Sequence, residues 1–172
     1  VLPPFIVLPS RPTFPSRPNS STASIRFLHA APNQSAINIR LGNRNVINDM
    51  RFGNFTPYYT NTGNRSTPIT VISTRTGETL YRGYFNFANQ SAYTVSVVDS
   101  GSRITLYVLM DTPCNNANAG CIRAVNLSPN SGAVDIFLSG YGRIFQRVNQ
   151  FSYTGYRLIN QGTYRAVVSE PL

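Results

Sequence analysis

The sequence predicts an all-β protein made of two Ig-like β-sandwich units in tandem, and three observations lead to this fold class. Apolar and polar residues alternate in short runs, most clearly along Ile37-Asn38-Ile39-Arg40-Leu41. Residues typical of turns, such as Gly42-Asn43 at a hairpin position, separate these runs at a spacing of about ten residues. A later part of the chain also repeats an earlier part. Since no stretch shows a helical period of useful length, we expect strands throughout.

The internal repeat predicts where the units lie. Ser24–Asn33 aligns with Cys121–Asn130, and Ile37–Ile39 aligns with Val134–Ile136 at the same offset of 97 residues. The second copy has no counterparts of the alternating runs at 79–87, 93–98 and 104–110, and is shorter by about 35 residues. We therefore predict a complete unit over 23–112 and a truncated unit over 113–172. The truncated unit should have an unpaired sheet edge and an open core.

The alternation also predicts which side chains face the core. The inward set combines the apolar positions of the predicted strands in both copies. It comprises Ile25, Phe27, Ile37, Ile39, Val71, Tyr93, Val95 and Val97 in the first copy and Ile122, Val134 and Ile136 in the second.

Residues 1–22 are predicted to form an extended, proline-rich arm. Six of the twelve prolines lie there, so the arm cannot pair continuously in the centre of a sheet. Residues 1–9 hold a short apolar strand candidate bracketed by prolines, and residues 10–22 resemble a polar linker. The residues expected to contact another subunit are Val1, Leu2, Phe5, Ile6, Val7 and Leu8.

The composition limits the chemistry that the chain can perform. Fifteen basic residues, all of them Arg, stand against six acidic residues and one His, which gives a net charge of +9. The residue types that carry most general acid–base and metal chemistry are therefore scarce. We predict a protein that is not an enzyme and that has no catalytic residue, metal site or cofactor.

The positive charge does not point to nucleic acid, and nothing points to a membrane span. The Arg residues are scattered, with no run of three, so they predict no concentrated basic patch. Contacts of the Arg side chains to carbonyl groups, acidic residues and aromatic faces are a better explanation for these residues than nucleic-acid binding. No run of eighteen or more apolar residues exists, so we expect no membrane-spanning helix.

The two cysteines, Cys114 and Cys121, are predicted to form a local disulfide. They lie seven positions apart. Two cysteines are too few ligands for a metal site. A pair of free thiols and intermolecular bridging are the alternatives. A disulfide would favour an oxidising, extracellular setting.

The repeated segment carries a family resemblance. In the first copy it reads Arg26-Phe27-Leu28-His29-Ala30-Ala31-Pro32, and in the second Arg123-Ala124-Val125-Asn126-Leu127-Ser128-Pro129. Together with the glycine–aromatic stretch Phe52–Tyr58, this pattern resembles the DUF4397 family over residues 24–172. The resemblance implies secreted or cell-surface β-sandwich domains of bacteria, usually in tandem. It implies no catalytic residue, since none is established for the family.

The single histidine, His29, is more typical of a structural role than of chemistry. Its counterpart in the second copy is Asn126, and both residues precede a proline turn. We expect each side chain to hydrogen-bond the backbone of that turn.

The function expected from these features is structural. We predict a secreted or cell-surface subunit of a fimbria-like filament, appendage or surface layer, on a bacterial envelope or spore surface. The subunit would form a homopolymer by donating its N-terminal strand to a neighbouring copy. The strand could instead fold back onto its own chain. The alternative function is a monomeric surface adhesion or carbohydrate-binding module, for which other surface or matrix components would be the partners.

Overall fold

The computed structural model describes residues 20–114, 116 and 118–171, and every regular element among them is a β-strand. The all-β fold class is therefore confirmed. The described residues divide between Thr112 and Pro113 into two compact units, here called unit one (20–112) and unit two (113–171). Residues 1–19, with most of the predicted arm, lie outside the described residues. The first strand begins at Thr22, the last residue assigned to the arm.

Unit one is a sandwich of two four-stranded sheets. One sheet has the order β4-β1-β7-β8 and the other the order β3-β2-β5-β6. β6 and β8 are the last strands in these two orders, and they contact each other. The next strand inward in each sheet is β5 and β7 respectively, so β5 lies opposite β7. The strands are β1 Thr22–Ala30, β2 Ile37–Leu41, β3 Arg44–Met50, β4 Tyr59–Thr62, β5 Ser66–Ser73, β6 Thr79–Asn86, β7 Ala92–Ser100 and β8 Arg103–Asp111.

Period-two patterning places the core of unit one between its two sheets. Along β5, for example, Ile69 and Val71 are fully buried, while Thr70 between them is half-buried. All eight residues predicted to face inward in the first copy are buried. The alternation therefore identified the correct face of β1, β2, β5 and β7.

Unit two has the same plan with fewer strands. Its sheets have the orders β12-β9 and β11-β10-β13. Its core contains Ala124, Ile136, Leu138, Ile144, Phe145, Val148, Ile159 and Ala166. Of the residues predicted to face inward, Ile136 is buried, whereas Ile122 and Val134 are half-buried and pack against this core. The strands are β9 Ala119–Ile122, β10 Val134–Leu138, β11 Gly142–Val148, β12 Arg157–Asn160 and β13 Ala166–Ser169.

Each pairing of the first five strands recurs in unit two. β9 pairs with β12 as β1 does with β4, and β10 lies between β11 and β13 as β2 lies between β3 and β5. The β2–β3 hairpin has the two-residue loop Gly42-Asn43, with Gly42 at a φ of 62°, whereas the β10–β11 hairpin has the three-residue loop 139–141. This additional loop residue changes the offset between the copies from 97 to 98.

Both hairpins also contain the same irregularity. Asp49 of β3 and Arg147 of β11 adopt a positive φ where the ladder register shifts. The backbone N–H of Asp49 donates to Asn38 Oδ1 at 2.8 Å, and that of Arg147 donates to Asp135 Oδ1 at 2.7 Å. A side chain on the neighbouring strand therefore satisfies the displaced N–H in each hairpin.

The predicted disulfide is present in unit two. Cys114 and Cys121 are bonded, with their Cα atoms 5.6 Å apart. Cys121 belongs to β9, so the bridge ties the first strand of unit two to the segment that precedes it. No free cysteine occurs among the described residues.

Replacing Ile39 by Ala tests the packing of unit one. The side chain is fully buried between the sheets, so truncation should lower the free energy of unfolding by about 2–5 kcal/mol. Arg44→Ala, at an exposed position of β3, is the matched control and should change stability by less than about 0.5 kcal/mol. Urea denaturation of the three proteins measures the difference. Equal midpoints for Ile39→Ala and the parent would contradict the packing described here.

Candidate subunit interface

The described residues of unit two form no strands in the places that β6, β7 and β8 take in unit one. In unit one, β7 covers one edge of β1 and β6 covers one edge of β5. The corresponding strands of unit two are β9 and β13, and each pairs with a single strand among the described residues. We call this side of unit two, between the outer edges of β9 and β13, the open side. An uncovered pair of edges is a template for pairing with another strand.

One core position of unit two is exposed at its open side. Val71 of β5 pairs with Ile39 and has no exposed surface. At the same place in unit two, Val168 of β13 pairs with Ile136 and is 55% exposed. The two valines differ in burial because β7 lies opposite β5, whereas no described strand of unit two lies opposite β13.

Two other core positions show the same difference. Ile25 on β1 and Ile37 on β2 are fully buried, whereas their counterparts Ile122 and Val134 are half-buried. Three apolar positions that unit one encloses are therefore partly or largely exposed to solvent in unit two. Sequence reasoning had placed these residues in a core. Shifting Val71 by the repeat offset would also have identified Val168.

The family can be assigned once this architecture is known. A family model described as a domain of unknown function, DUF4397, matches residues 23–137, about two thirds of the chain. The chain belongs to the DUF4397 family. A search of curated proteins gave no match.

The DUF4397 match covers less than the resemblance in the sequence suggested. It was expected to extend over residues 24–172, but it ends at Phe137 within β10. The matched part contains all eight strands of unit one, together with β9 and most of β10. β11, β12 and β13 lie outside the match, although they repeat the pairings of unit one.

The predicted site residues fall into two groups. Cys121 is part of β9, one of the two strands that border the open side, and it is bonded to Cys114. The predicted subunit contacts Val1, Leu2, Phe5, Ile6, Val7 and Leu8 lie outside the described residues.

His29 has the structural role expected from the sequence. Its ring is fully buried, with Nδ1 accepting a bond from the N–H of Ala31 at 3.3 Å. Nε2 lies 3.1 Å from the carbonyl oxygen of Ser35, to which it donates. The ring therefore bridges both ends of the proline turn between β1 and β2. Burial lowers the pKa of His29 below its usual range, and the Ser35 bond and the charge of Asp99 oppose this shift only in part.

Asn126 holds the equivalent turn of unit two. Its Oδ1 accepts from the N–H of Ser128 at 3.2 Å, as His29 Nδ1 does from Ala31. Its Nδ2 donates to the carbonyl oxygen of Gly132 at 3.1 Å, and Gly132 is the counterpart of Ser35. An amide and an imidazole thus make the same pair of backbone bonds.

A polar cluster on the outer face of the β4-β1-β7-β8 sheet was missed by sequence reasoning. The buried carboxylate of Asp111 accepts from Thr94 at 2.6 Å and from Tyr58 at 2.8 Å. Arg26 Nε donates to Thr94 Oγ1 at 2.7 Å and lies 3.6 Å from Asp111 Oδ2. Its guanidinium also lies 5.0 Å from the centre of the Tyr58 ring. The cluster connects β1, β7 and β8.

Unit two retains the part of this cluster that the residue after β9 and the segment before β12 supply. The guanidinium of Arg123 lies 4.8 Å from the centre of the Tyr156 ring and 5.9 Å from that of Tyr153. Arg123 and Tyr156 are the counterparts of Arg26 and Tyr58. The described residues of unit two include no strand in the places of β7 and β8, which supply Thr94 and Asp111 in unit one.

The described residues lack two features. They contain no group of three His, Cys, Asp or Glu residues placed to hold a metal ion. They also contain no helix of the length and hydropathy needed to cross a membrane.

The burial of the His29 imidazole predicts how the free energy of unfolding depends on pH. Because the pKa of His29 is lower in the folded chain than in the unfolded one (about 6.5), the unfolded chain binds more protons below that pH. The free energy of unfolding should therefore fall as the pH drops from 7.5 to 5.5. His29→Asn, which reproduces the side chain of Asn126, should remove that part of the pH dependence.

His29→Ala is the matched control for this prediction. It leaves the N–H of Ala31 and the carbonyl of Ser35 without their side-chain partner, which should cost about 1–3 kcal/mol at either pH. Thermal denaturation at pH 7.5 and 5.5 measures both effects. The same loss of stability on acidification in the parent and in His29→Asn would show that His29 does not contribute it.

Proposed function

We propose that this protein is a non-enzymatic structural subunit of an extracellular fibre, appendage or surface layer. Residues 1–9 of one subunit would pair with the open side of unit two in a neighbouring copy, and repetition of this contact would build a homopolymer. In this proposal unit one and unit two are successive Ig-like sandwich domains, and unit two is completed by the neighbouring subunit. The proposal includes secretion to the cell surface, in keeping with the Cys114–Cys121 disulfide.

The single observation that carries the proposal is the exposure of core positions at the open side. Val168 is 55% exposed where Val71 is fully buried, and the β9 and β13 edges lie on either side of this gap. Covering one such side chain contributes about 1.5–3 kcal/mol before ordering costs. A strand inserted here would also gain backbone hydrogen bonds from an exposed edge, which is the basis of donor-strand pairing.

The arm has the properties that such a donor requires. Phe5, Ile6, Val7 and Leu8 are apolar without interruption, so their exposure to water is unfavourable. Nine extended residues span roughly 30 Å, enough to follow the length of a strand. The prolines on either side limit the length of the pairing and so help to set its register.

Polymerisation distinguishes this function from the alternative of a monomeric adhesion or carbohydrate-binding module. That alternative is favoured by exposed aromatic rings at equivalent places in the two units, Phe55 at 53% and Tyr153 at 58%. Negative-stain microscopy of the purified chain should show fibres if it is a structural subunit and single particles if it is a monomeric module.

Deletion of residues 1–9 tests the donor role directly. The shortened protein should remain folded and soluble but should not form fibres, because the strand that fills the open side has been removed. A control that changes only Ser16 to Ala keeps the apolar run and should assemble like the parent. Fibres of unchanged dimensions from the shortened protein would rule the proposal out.

Mixing separates pairing between subunits from pairing within one chain. If the arm acts between subunits, the shortened protein should still accept a donor and should therefore cap or slow fibre growth when added to the parent. If the arm folds back within its own chain, the parent should stay monomeric at all concentrations, and the deletion should lower its melting temperature. Light scattering over a concentration series gives both results.

A further inference from the structure

We propose that the arm takes the place of β7 in unit two, parallel to β9, with Phe5 packed against Ala124. This inference rests on the proposed function and specifies the edge, the direction and the central contact of the subunit pairing. It follows from a comparison of the two units, since unit one shows how a complete sandwich fills the same position.

The burial of the strands in unit one indicates which position the arm fits. β7 is a central strand, and most of its residues are buried whichever face they are on. β6 is an edge strand whose residues are all exposed or half-buried. An uninterrupted apolar run is typical of a strand covered on both faces. The run Phe5–Leu8 therefore matches the β7 position better than the β6 position.

The direction of pairing follows from the position. In unit one, β7 runs parallel to β1, with Ser24–Ala30 aligned to Ala92–Val98. β9 is the counterpart of the first half of β1 and ends at Ile122, so a strand in the β7 position of unit two runs parallel to β9 and to the segment that follows it.

Phe27 of unit one and Ala124 of unit two are equivalent core residues of different size. Phe27 of unit one is fully buried, and its N–H donates to Thr56 Oγ1 at 3.0 Å. Ala124 makes the same bond, to Thr154 Oγ1 at 3.0 Å, and is 8% exposed. The two residues therefore occupy the same place, and a methyl group stands in unit two where unit one has a phenyl.

A second large side chain of unit one has a smaller counterpart on the facing sheet of unit two. Ile69 of β5 pairs with Leu41 and is fully buried, and its counterpart on β13 is Ala166. Since β5 lies opposite β7, both reductions adjoin the β7 position. The exchange of Ile47 for the larger Phe145 lies on β11, which is separated from that position by β10. This gain in size therefore lies on a strand that is not next to the β7 position.

Phe5 is the arm residue that matches this space. In unit one, Phe27 is aligned with Val95, so a large side chain on β1 meets a smaller one on β7. With Phe5 in the place of Val95, the large side chain comes from the donor and the small one, Ala124, from the acceptor. Alternation then puts Val7 in the place of Val97, while Ile6 points to the other face.

Exchanging the large and small partners tests the contact in the full-length chain. Phe5→Val removes the donor ring, and Ala124→Phe fills the acceptor with its own ring. Each change alone should raise the critical concentration for fibre formation at least about tenfold. The double variant recreates the Phe27–Val95 arrangement of unit one and should restore assembly to near the parent level. Ile6→Val is the matched control and should have little effect, because Ile6 does not face Ala124.

The critical concentrations of these variants, compared with one another, test the proposed contact between Phe5 and Ala124. Rescue in the double variant supports it, because a merely structural loss in either single variant would add rather than cancel. Equal effects of Phe5→Val and Ile6→Val would overturn the contact. If Ala124→Phe fails to fold by circular dichroism, Ala166→Ile takes its place, since it narrows the same space from β13.

Failure of this inference differs from failure of the proposed function. If deleting residues 1–9 abolishes fibres while all the exchange variants assemble normally, the arm is a donor but binds elsewhere. If the shortened protein still forms fibres, donor-strand assembly itself is wrong.

Discussion

The parallel pairing of β1 with β7 is the interaction on which unit one depends. It aligns Ser24–Ala30 with Ala92–Val98, residues that are 68 positions apart in the chain. β8 joins the sheet only through β7, and the apolar side chains of β5 are covered because β7 lies opposite them. The cluster around Asp111 adds polar contacts between β1, β7 and β8. Closure of the sandwich is therefore a long-range event that requires the whole of unit one.

The described residues of unit two contain no counterpart of the β1–β7 pairing. β9–β13 keep the ladders, the irregular hairpin and the bonded turn of β1–β5. Local hydrogen bonding is thus insufficient to enclose the core, as the exposure of Val168 shows. Burial of apolar surface drives folding and association alike, so an open core and an uncovered edge are a physical reason for binding another strand.

The turns after β1 and β9 show that the geometry of a contact is retained even though the residue changes. An imidazole can become charged and a side-chain amide cannot. His29 and Asn126 nevertheless each have an acceptor and a donor placed to bridge the same backbone groups. The requirement at this position is therefore two hydrogen bonds across a turn. The repeat in the sequence indicated this role because it aligned an imidazole with an amide, which argues against proton transfer at His29.

The sequence by itself determined the all-β class, the repeat and the inward face of β1, β2, β5 and β7, because these depend on local alternation and spacing. It predicted the Cys114–Cys121 disulfide but left free thiols and intermolecular bridging as alternatives. It did not reveal β3 or β11 as strands, since the positive φ of Asp49 and Arg147 interrupts the alternation there. Only the tertiary structure decided how far each core position is buried. Val71 and Val168 are both valines in equivalent ladders, and they differ because burial depends on the strand that lies opposite, which can be distant in sequence or in another chain.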